Sequence, residues 1–207
     1  MASVVVILAA ATLYGGLHSL LAAHAVKRVL EPKLGRAYRL VYNLVAGVTL
    51  LPLLALVPLL PDRLLYRVPA PWGWGMAAVQ AIAALAAVWT LRQTDVLRFL
   101  GLRQLAETAP LPPNRLQVRG AYRWVRHPLY FFSLLFLWFS PVMSQNQAAL
   151  YAALSAYLGW GALLEERKLT AQYGEAYRRY RRRTPMLLPW KVSLWWGGGE
   201  TNGDAAP

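Results

Sequence analysis

Residues 40 to 60 read LVYNLVAGVTLLPLLALVPLL, a run without a single charged side chain, and about 20 such residues are what a helix needs to cross the hydrocarbon core of a bilayer. A second uncharged run, WGWGMAAVQAIAALAAVWTL, fills residues 72 to 91. With 57% hydrophobic and 15% charged residues over 207 positions, the chain reads as a membrane protein rather than a soluble domain. Five apolar stretches qualify as spans: 3–24, 40–60, 72–91, 129–143 and 147–164, the last two shorter than the others. The first, opening MASVVVILAAATLYGGLHSLL, lacks the basic start of a secretory signal and runs too long before any charge, so it too is expected to span. The expected fold class is all-α, a polytopic membrane protein with five transmembrane helices.

A net charge of +13 would suggest nucleic acid as a partner for a soluble protein, so the placement of the charges decides their meaning. If the spans alternate in direction, every one of the 22 Lys and Arg residues except Arg63 and Arg67 falls on one side. The positive-inside rule makes that side cytoplasmic. The N-terminus is then expected outside and the C-terminus in the cytoplasm, in the manner of a bacterial inner-membrane protein. The basic excess serves topology and contact with anionic lipid, which makes the bilayer the expected partner in place of nucleic acid. The chain has no Cys, which excludes disulfides, thiolate metal sites and a cysteine nucleophile. His18 and His24 are six apart and do not share a helix face, so no metal site is expected.

The connections on the basic side differ in interest. HAVKRVLEPKLGRAYRL reads as a short connector of snorkelling cations. The stretch from Arg92 to His127 is too long for a turn. It holds the helix-like TDVLRFLGLRQL, the breaking APLPPN, and then RGAYRWVRHPLYFF. Pro128 suits the first turn of a helix, where its missing N–H costs nothing, and His127 stands at that helix's entrance. The apolar run behind it, 129–143, is only about 22 Å long as a helix, against a hydrocarbon thickness of about 30 Å. Either the bilayer thins or the helix begins below the surface; in the second case Arg126 and His127 lie in a recess at the cytoplasmic edge, because a charge facing lipid is costly, and the helix N-terminus there favours an anionic group.

Glu165 and Glu166 leave the fifth span on the same side. The turn SQNQ makes spans four and five antiparallel neighbours, so the Arg-His pair and the Glu pair should face one another. Two readings stand: a salt bridge that fastens the hairpin, or a site for a ligand carrying both a carboxylate and an ammonium. Beyond the glutamates, EERKLTAQYGEAYRRYRRR sets Leu169, Tyr173, Tyr177 and Tyr180 on one face of an amphipathic helix. The prolines of TPMLLPW then fold the chain back. Residues 1–190 form one expected domain, and 191–207 an interfacial and disordered tail, with Trp195 and Trp196 suited to the membrane surface ahead of GGGETNGDAAP.

GAYRWVRHPLY followed after two spans by EERKLTAQYGEAYRRYRRRTPMLLPW resembles the C-terminal signature of the integral-membrane methyltransferases that include isoprenylcysteine carboxyl methyltransferase and the phospholipid methyltransferases. LHSLLAAHAVKR, TDVLRFLGLRQL, PVMS and LLEERKL extend the resemblance, within that superfamily, to the methanethiol S-methyltransferases and the related proteins named for nitrite and nitric oxide reductase regulation. It covers roughly residues 14 to 190, and its C-terminal third is the specific part. The resemblance implies S-adenosylmethionine as methyl donor, bound by a cytoplasmic loop and the C-terminal helix. By position it implies a cofactor site of Arg126, His127, Pro128, Tyr130, Glu165, Glu166, Tyr177, Tyr180, Arg183 and Pro185, with Arg126, Glu166 and Tyr130 catalytic. The implied acceptor is small or lipophilic, a small thiol in the favoured branch. Two departures stand out: Phe132 replaces a usual Gly, and Thr184 a usual hydrophobic residue before the tail proline.

Methyl transfer from a sulfonium needs an aligned nucleophile in a dry site and no metal. Arg126 is expected to orient the acceptor, by lowering a thiol's pKa or by gripping a carboxylate. Alternatives are an isoprenylcysteine-type carboxyl or phospholipid methyltransferase, an NADPH-dependent sterol-type membrane reductase, which calls for more spans and a larger nucleotide pocket, and a non-catalytic membrane accessory protein.

Overall fold

The structure is a computed structural model that describes residues 1–106 and 116–189. The APLPPN segment, Arg115 and the tail with Trp195 and Trp196 lie outside the described residues. The chain is mostly helical, as lipid requires of a backbone that must satisfy its own N–H and C=O groups. In order come α1 (Ala2–Ala22), α2 (His24–Leu34), α3 (Tyr38–Leu59), β1 (Leu64–Arg67), α4 (Trp72–Arg92), α5 (Val96–Leu100), α6 (Leu102–Ala106), α7 (Pro128–Trp138), β2 (Val142–Ser144) and α8 (Gln145–Arg183). Among the described residues three helices are long and apolar enough to cross a membrane: α1, the continuous run His24–Leu59 that contains α3, and α4. Their outward faces carry exposed Leu13, Leu51, Leu59, Ile82 and Leu85, an apolar surface that fits an integral membrane protein.

α1 packs on α3 and α8, and α4 on α7. At one end of the bundle Ile7, Leu53 and Leu150 form a buried core. There β1 pairs antiparallel with β2, matching Leu64 with Ser144, Tyr66 with Met143 and Arg67 with Val142. Ser3 Oγ donates to the Pro61 carbonyl at 2.7 Å. The N-terminus, the α3–α4 connection and the α7–α8 connection thus meet at this end, which leaves α2, α5, α6, the Arg126 segment and Glu165–Glu166 at the other.

Several elements differ from the sequence expectations. The fourth apolar stretch is helical only over α7, and its remaining residues turn into β2, because pairing with β1 satisfies the backbone there. SQNQ is no turn: Ser144 N-caps α8 by accepting from Gln147 N–H, and the Gln147 side chain accepts from Ser144 N–H, a capping box that starts the helix at once. The fifth stretch and the tyrosine-bearing segment belong to one long element interrupted at Gly174, whose φ of 55° and ψ of −127° leave the helical region and suit a residue without Cβ. The basic connector after α1 is itself a helix, α2, with Lys27 beside Glu31 at 3.6 Å. TDVLRFLGLRQL is two short helices joined at Gly101, where φ is 92° and a Cβ would lie 2.5 Å from the Leu40 backbone nitrogen. That close approach lets Arg39 and Asn43 of α3 donate to the carbonyls ending α5.

Candidate functional site

Pro128 occupies the first turn of α7 with His127 as its N-cap residue. The two N–H groups just before the helix are paired with the tail: Arg126 N–H donates to Pro185 O at 2.9 Å and His127 N–H to Met186 O at 3.1 Å. The chain after α8 therefore returns to lie beside the entrance of α7. Beside it the buried Arg126, His127 and Tyr177 and the exposed Arg181 gather around Glu166, which is 5% exposed.

Arg126 grips Glu166 with two parallel bonds, Nε to Oε1 at 2.7 Å and Nη2 to Oε2 at 2.9 Å. This is the fork geometry that makes guanidinium–carboxylate pairs strong. Its Nη1 donates to the carbonyls of Arg181, at 3.1 Å, and Thr184. Four of the five guanidinium N–H groups are thereby taken by the protein itself. His127 Nε2 lies 3.0 Å from Glu166 Oε1, Tyr177 donates its hydroxyl to the same oxygen at 2.6 Å, and Arg181 Nε stands 3.4 Å from Oε2. Burial alone would raise the Glu166 pKa, but the bonds from His127, Arg126 and Tyr177 outweigh it and hold the carboxyl down to about 2. Burial and that bond push the Tyr177 hydroxyl up, so it remains a donor.

The neighbouring carboxylate is placed differently. Glu165 has a side chain 44% exposed, and among the described residues its Oε2 alone is engaged, by Tyr130 OH at 3.1 Å and His127 Nδ1 at 3.5 Å. Tyr130 stacks on the His127 ring with centroids 5.5 Å apart. Burial would lower the His127 pKa, but bonds and charge from Glu165 and Glu166 raise it, which favours the imidazolium between two carboxylates.

Arg126, His127, Tyr130, Glu165, Glu166 and Tyr177 thus form one connected group. Pro185 joins it through its carbonyl, and Tyr180 holds the neighbouring segment by donating to Tyr122 O at 2.6 Å. Arg183 is exposed, and lines with Arg126, Arg181, Arg182 and Thr184 a cavity of about 150 Å³. Thr184, one of the two departures, is buried, and its backbone carbonyl rather than its side chain serves Arg126. Phe132, the other, is 6% exposed and walls an apolar cavity of about 510 Å³ that opens between the helices. Sequence reasoning missed Arg181, hidden in a run of arginines, and the layer of His18, Tyr42 and Tyr157. There His18 Nε2 meets Tyr42 OH at 2.5 Å, and the Tyr157 ring stands edge-on to the imidazole.

The chain is 31% identical over 183 residues to methanethiol S-methyltransferase of Mycobacterium tuberculosis, an alignment covering 84% of this chain and 72% of that protein. The chain belongs to the methanethiol S-methyltransferase family. Methanethiol S-methyltransferase 1 of Bradyrhizobium diazoefficiens is 37% identical over 82 residues, 40% of this chain and 29% of the relative. The Crocosphaera subtropica enzyme of the same name is 30% identical over 119 residues, 56% of this chain and 46% of the relative. The chain thus spans between about a third and a half of the length of these last two family members. No family model matches the sequence, and no solved structure matches it.

Proposed function

We propose that this member of the family is a five-span, S-adenosylmethionine-dependent methyltransferase that methylates a thiol at the cytoplasmic face of a bacterial inner membrane. The observation that carries the reading is the division of labour between adjacent carboxylates: Glu166 is consumed by Arg126, while Glu165 is half-exposed with one oxygen engaged.

The donor set fits the amino-acid end of S-adenosylmethionine. Its ammonium finds an acceptor in Glu165, backed by Tyr130, and its carboxylate finds the cationic cavity lined by Arg126 and Arg181–Arg183. When bound, this cofactor supplies an electrophilic methyl group on a sulfonium. Arg126 acts as a positioning residue in this reading, since its guanidinium already holds Glu166 and the tail; the acceptor-orienting role passes to its neighbours. The protonated His127 and the arginines around the small cavity favour a thiolate over a thiol. The acceptor thiol loses its proton to water and is held as the thiolate beside these cations. With the donor bound, its sulfonium would supply the methyl group to that thiolate sulfur and would keep the electron pair of the broken C–S bond. Meeting of opposite charges to give neutral products is favoured where water is excluded.

The arrangement of helix ends supports the five-span reading. α1, α3, α4, α7 and α8 run alternately, and the residues of the basic loops gather at the Glu166 end. Purified protein in bilayer discs, given isotopically labelled S-adenosylmethionine and methanethiol, is expected to bind the donor saturably and release labelled dimethyl sulfide. Saturable binding with transfer only to an isoprenylated cysteine or phosphatidylethanolamine would overturn the thiol reading, and absence of binding the whole proposal.

A further inference from the structure

Exposed tryptophans ring the bundle at two heights. Trp72, Trp74 and Trp138 stand toward the β1–β2 end and Trp89, Trp124 and Trp160 toward the other, each at least 44% exposed. Aromatic belts of this kind mark the two interfaces of a membrane protein. Trp89 and Trp124 lie against each other with ring centroids 6.3 Å apart, so the segment that leads to Arg126 meets α4 at one of these interfaces. On α8, Glu166 stands six residues beyond Trp160, about 9 Å along the helix axis. The headgroup layer on each side of a bilayer is about 5–8 Å deep, so the Glu166 site sits at its outer edge.

The chain after Gly174 comes back to this level. Tyr177 and Arg181 both reach Glu166, and Pro185 is bonded to Arg126, two residues past Trp124. Over residues 175–183, at 3.6 residues per turn, Tyr177 and Tyr180 share the inner face and Arg181 stands at its border. Arg178, Arg179, Arg182 and Arg183 share the outer face, and all four are exposed. The tyrosines are committed, to Glu166 and to Tyr122 O. One acid relieves the arginines: Glu175 pairs with Arg178 at 3.5 Å and with Arg182 at 2.8 Å. Arg179 and Arg183, one turn apart, have no ion-pair partner among the described residues.

Guanidinium forks on one face, at headgroup height and offset by a single carboxylate, match the phosphates of anionic lipid in both charge and geometry. Each basic residue at such a surface contributes about a fivefold gain in affinity for it. Without anionic lipid the like charges one turn apart repel and work against the tyrosine contacts of this short segment. Neutralised by lipid phosphate, the segment stays down on the site. Arg181 stays with it, and its guanidinium faces Glu166 while its carbonyl accepts from Arg126.

We infer that the outer face of residues 175–183 docks on anionic phospholipid through Arg178, Arg179, Arg182 and Arg183, and that this docking tightens the donor site by holding the tail in place. The docking follows from the arginine face and the tryptophan belt. Its effect on the donor rests on the reading of S-adenosylmethionine as cofactor.

The test uses full-length protein in discs of phosphatidylcholine, alone or mixed with phosphatidylglycerol, and two readouts. The first is the dissociation constant of S-adenosylhomocysteine, whose uncharged sulfur keeps the surface potential of the disc from concentrating it. That constant should be about fivefold lower in the anionic discs, and the gain should fade as salt is raised. In the double variant Arg178→Gln, Arg179→Gln, at positions outside the donor cavity, binding in phosphatidylcholine should match wild type and the gain should vanish. An equal gain in wild type and variant, or none in either, would overturn the coupling. The second readout needs no donor. Because the chain has no Cys, Ala176→Cys on the exposed side of the segment takes a unique nitroxide, whose motion should slow when phosphatidylglycerol is present. An unchanged label overturns the docking. The same slowing by inorganic phosphate in phosphatidylcholine discs would assign the face to a free anion and overturn the bilayer as its partner. Slowing without any binding of S-adenosylhomocysteine would leave the docking standing and overturn the cofactor reading instead.

Discussion

The two ends of the bundle solve the same problem with different chemistry. Where β1 meets β2, chain ends and connections are tied by uncharged donors, to backbone carbonyls and to the single exposed carboxylate of Asp62, which accepts from Asn146 N–H at 2.9 Å. The Asn146 amide, 1% exposed, lies 3.3 Å from each of the Val57, Leu60 and Pro61 carbonyls, and Gln145 N–H donates to Arg63 O at 2.8 Å. At the opposite end the tail is tied to α7 and α8 through a buried guanidinium, an imidazole and a carboxylate. Taking such charges out of water costs several kcal/mol per ion, and neutral packing of equal volume is often as stable or more so. That end shows that this fold can close a helix end with one exposed carboxylate, Asp62, and with no buried guanidinium–carboxylate pair there among the described residues. Charge at the other end is thus poorly explained by stability alone and well explained by a zwitterionic ligand.

The sharpest way to break the comparison is Glu166→Ala. It strands Arg126 without its carboxylate, and removal of one partner from a buried pair costs about 3–5 kcal/mol. Thermal unfolding in detergent should show that loss together with loss of donor binding. A smaller drop than at Asn146 would mean that the ionic end is not the stronger tie. Asn146→Ala, at the β1–β2 end, should cost about 1–3 kcal/mol for carbonyls left unpaired, with the dissociation constant for the methyl donor unchanged.

Glu165→Gln separates function from support within the charged end. Stability should fall less than in Glu166→Ala, because Arg126 keeps its carboxylate while His127 loses one of its two partners. Donor affinity, measured by equilibrium dialysis of labelled S-adenosylmethionine, should fall about tenfold for the lost charge-assisted bond. The smallest effect is that of pH. The folded-state pKa of His127 is raised above 6.5, so its contribution to stability is complete below that value and is lost as pH rises through the folded value. Glu166, held to about 2, contributes steadily across the neutral range and fails only in strong acid. Melting temperature should therefore decline more between about pH 6 and pH 9 in wild type than in His127→Gln; equal slopes would remove His127 from the network.

Much of the architecture was legible in composition and spacing. Uncharged runs marked α1, α3 and α4, and Pro128 marked the start of α7. The meeting of Arg126–His127 with Glu165–Glu166 followed from two antiparallel neighbours leaving charge at the same end. What spacing missed was local. The capping box at Ser144 was present as Ser-x-x-Gln but read as a turn, and the break at Gly174 lay inside a pattern that looks continuous. The four positions on the tyrosine face hid the fact that Tyr177 is spent on Glu166.

By itself the sequence determined which segments must avoid water, on which side the cations collect, and which residue types could meet a charged ligand, since these depend on transfer free energies summed along the chain. Only the tertiary structure decided how the donors are shared. That four of the five Arg126 N–H groups are taken, that Glu165 is engaged through Oε2 alone among the described residues, and that Thr184 serves through its backbone depend on separations of a few ångströms between residues distant in sequence. Hydrogen bonds and steric contacts change sign over such distances, and no periodicity along one chain encodes them.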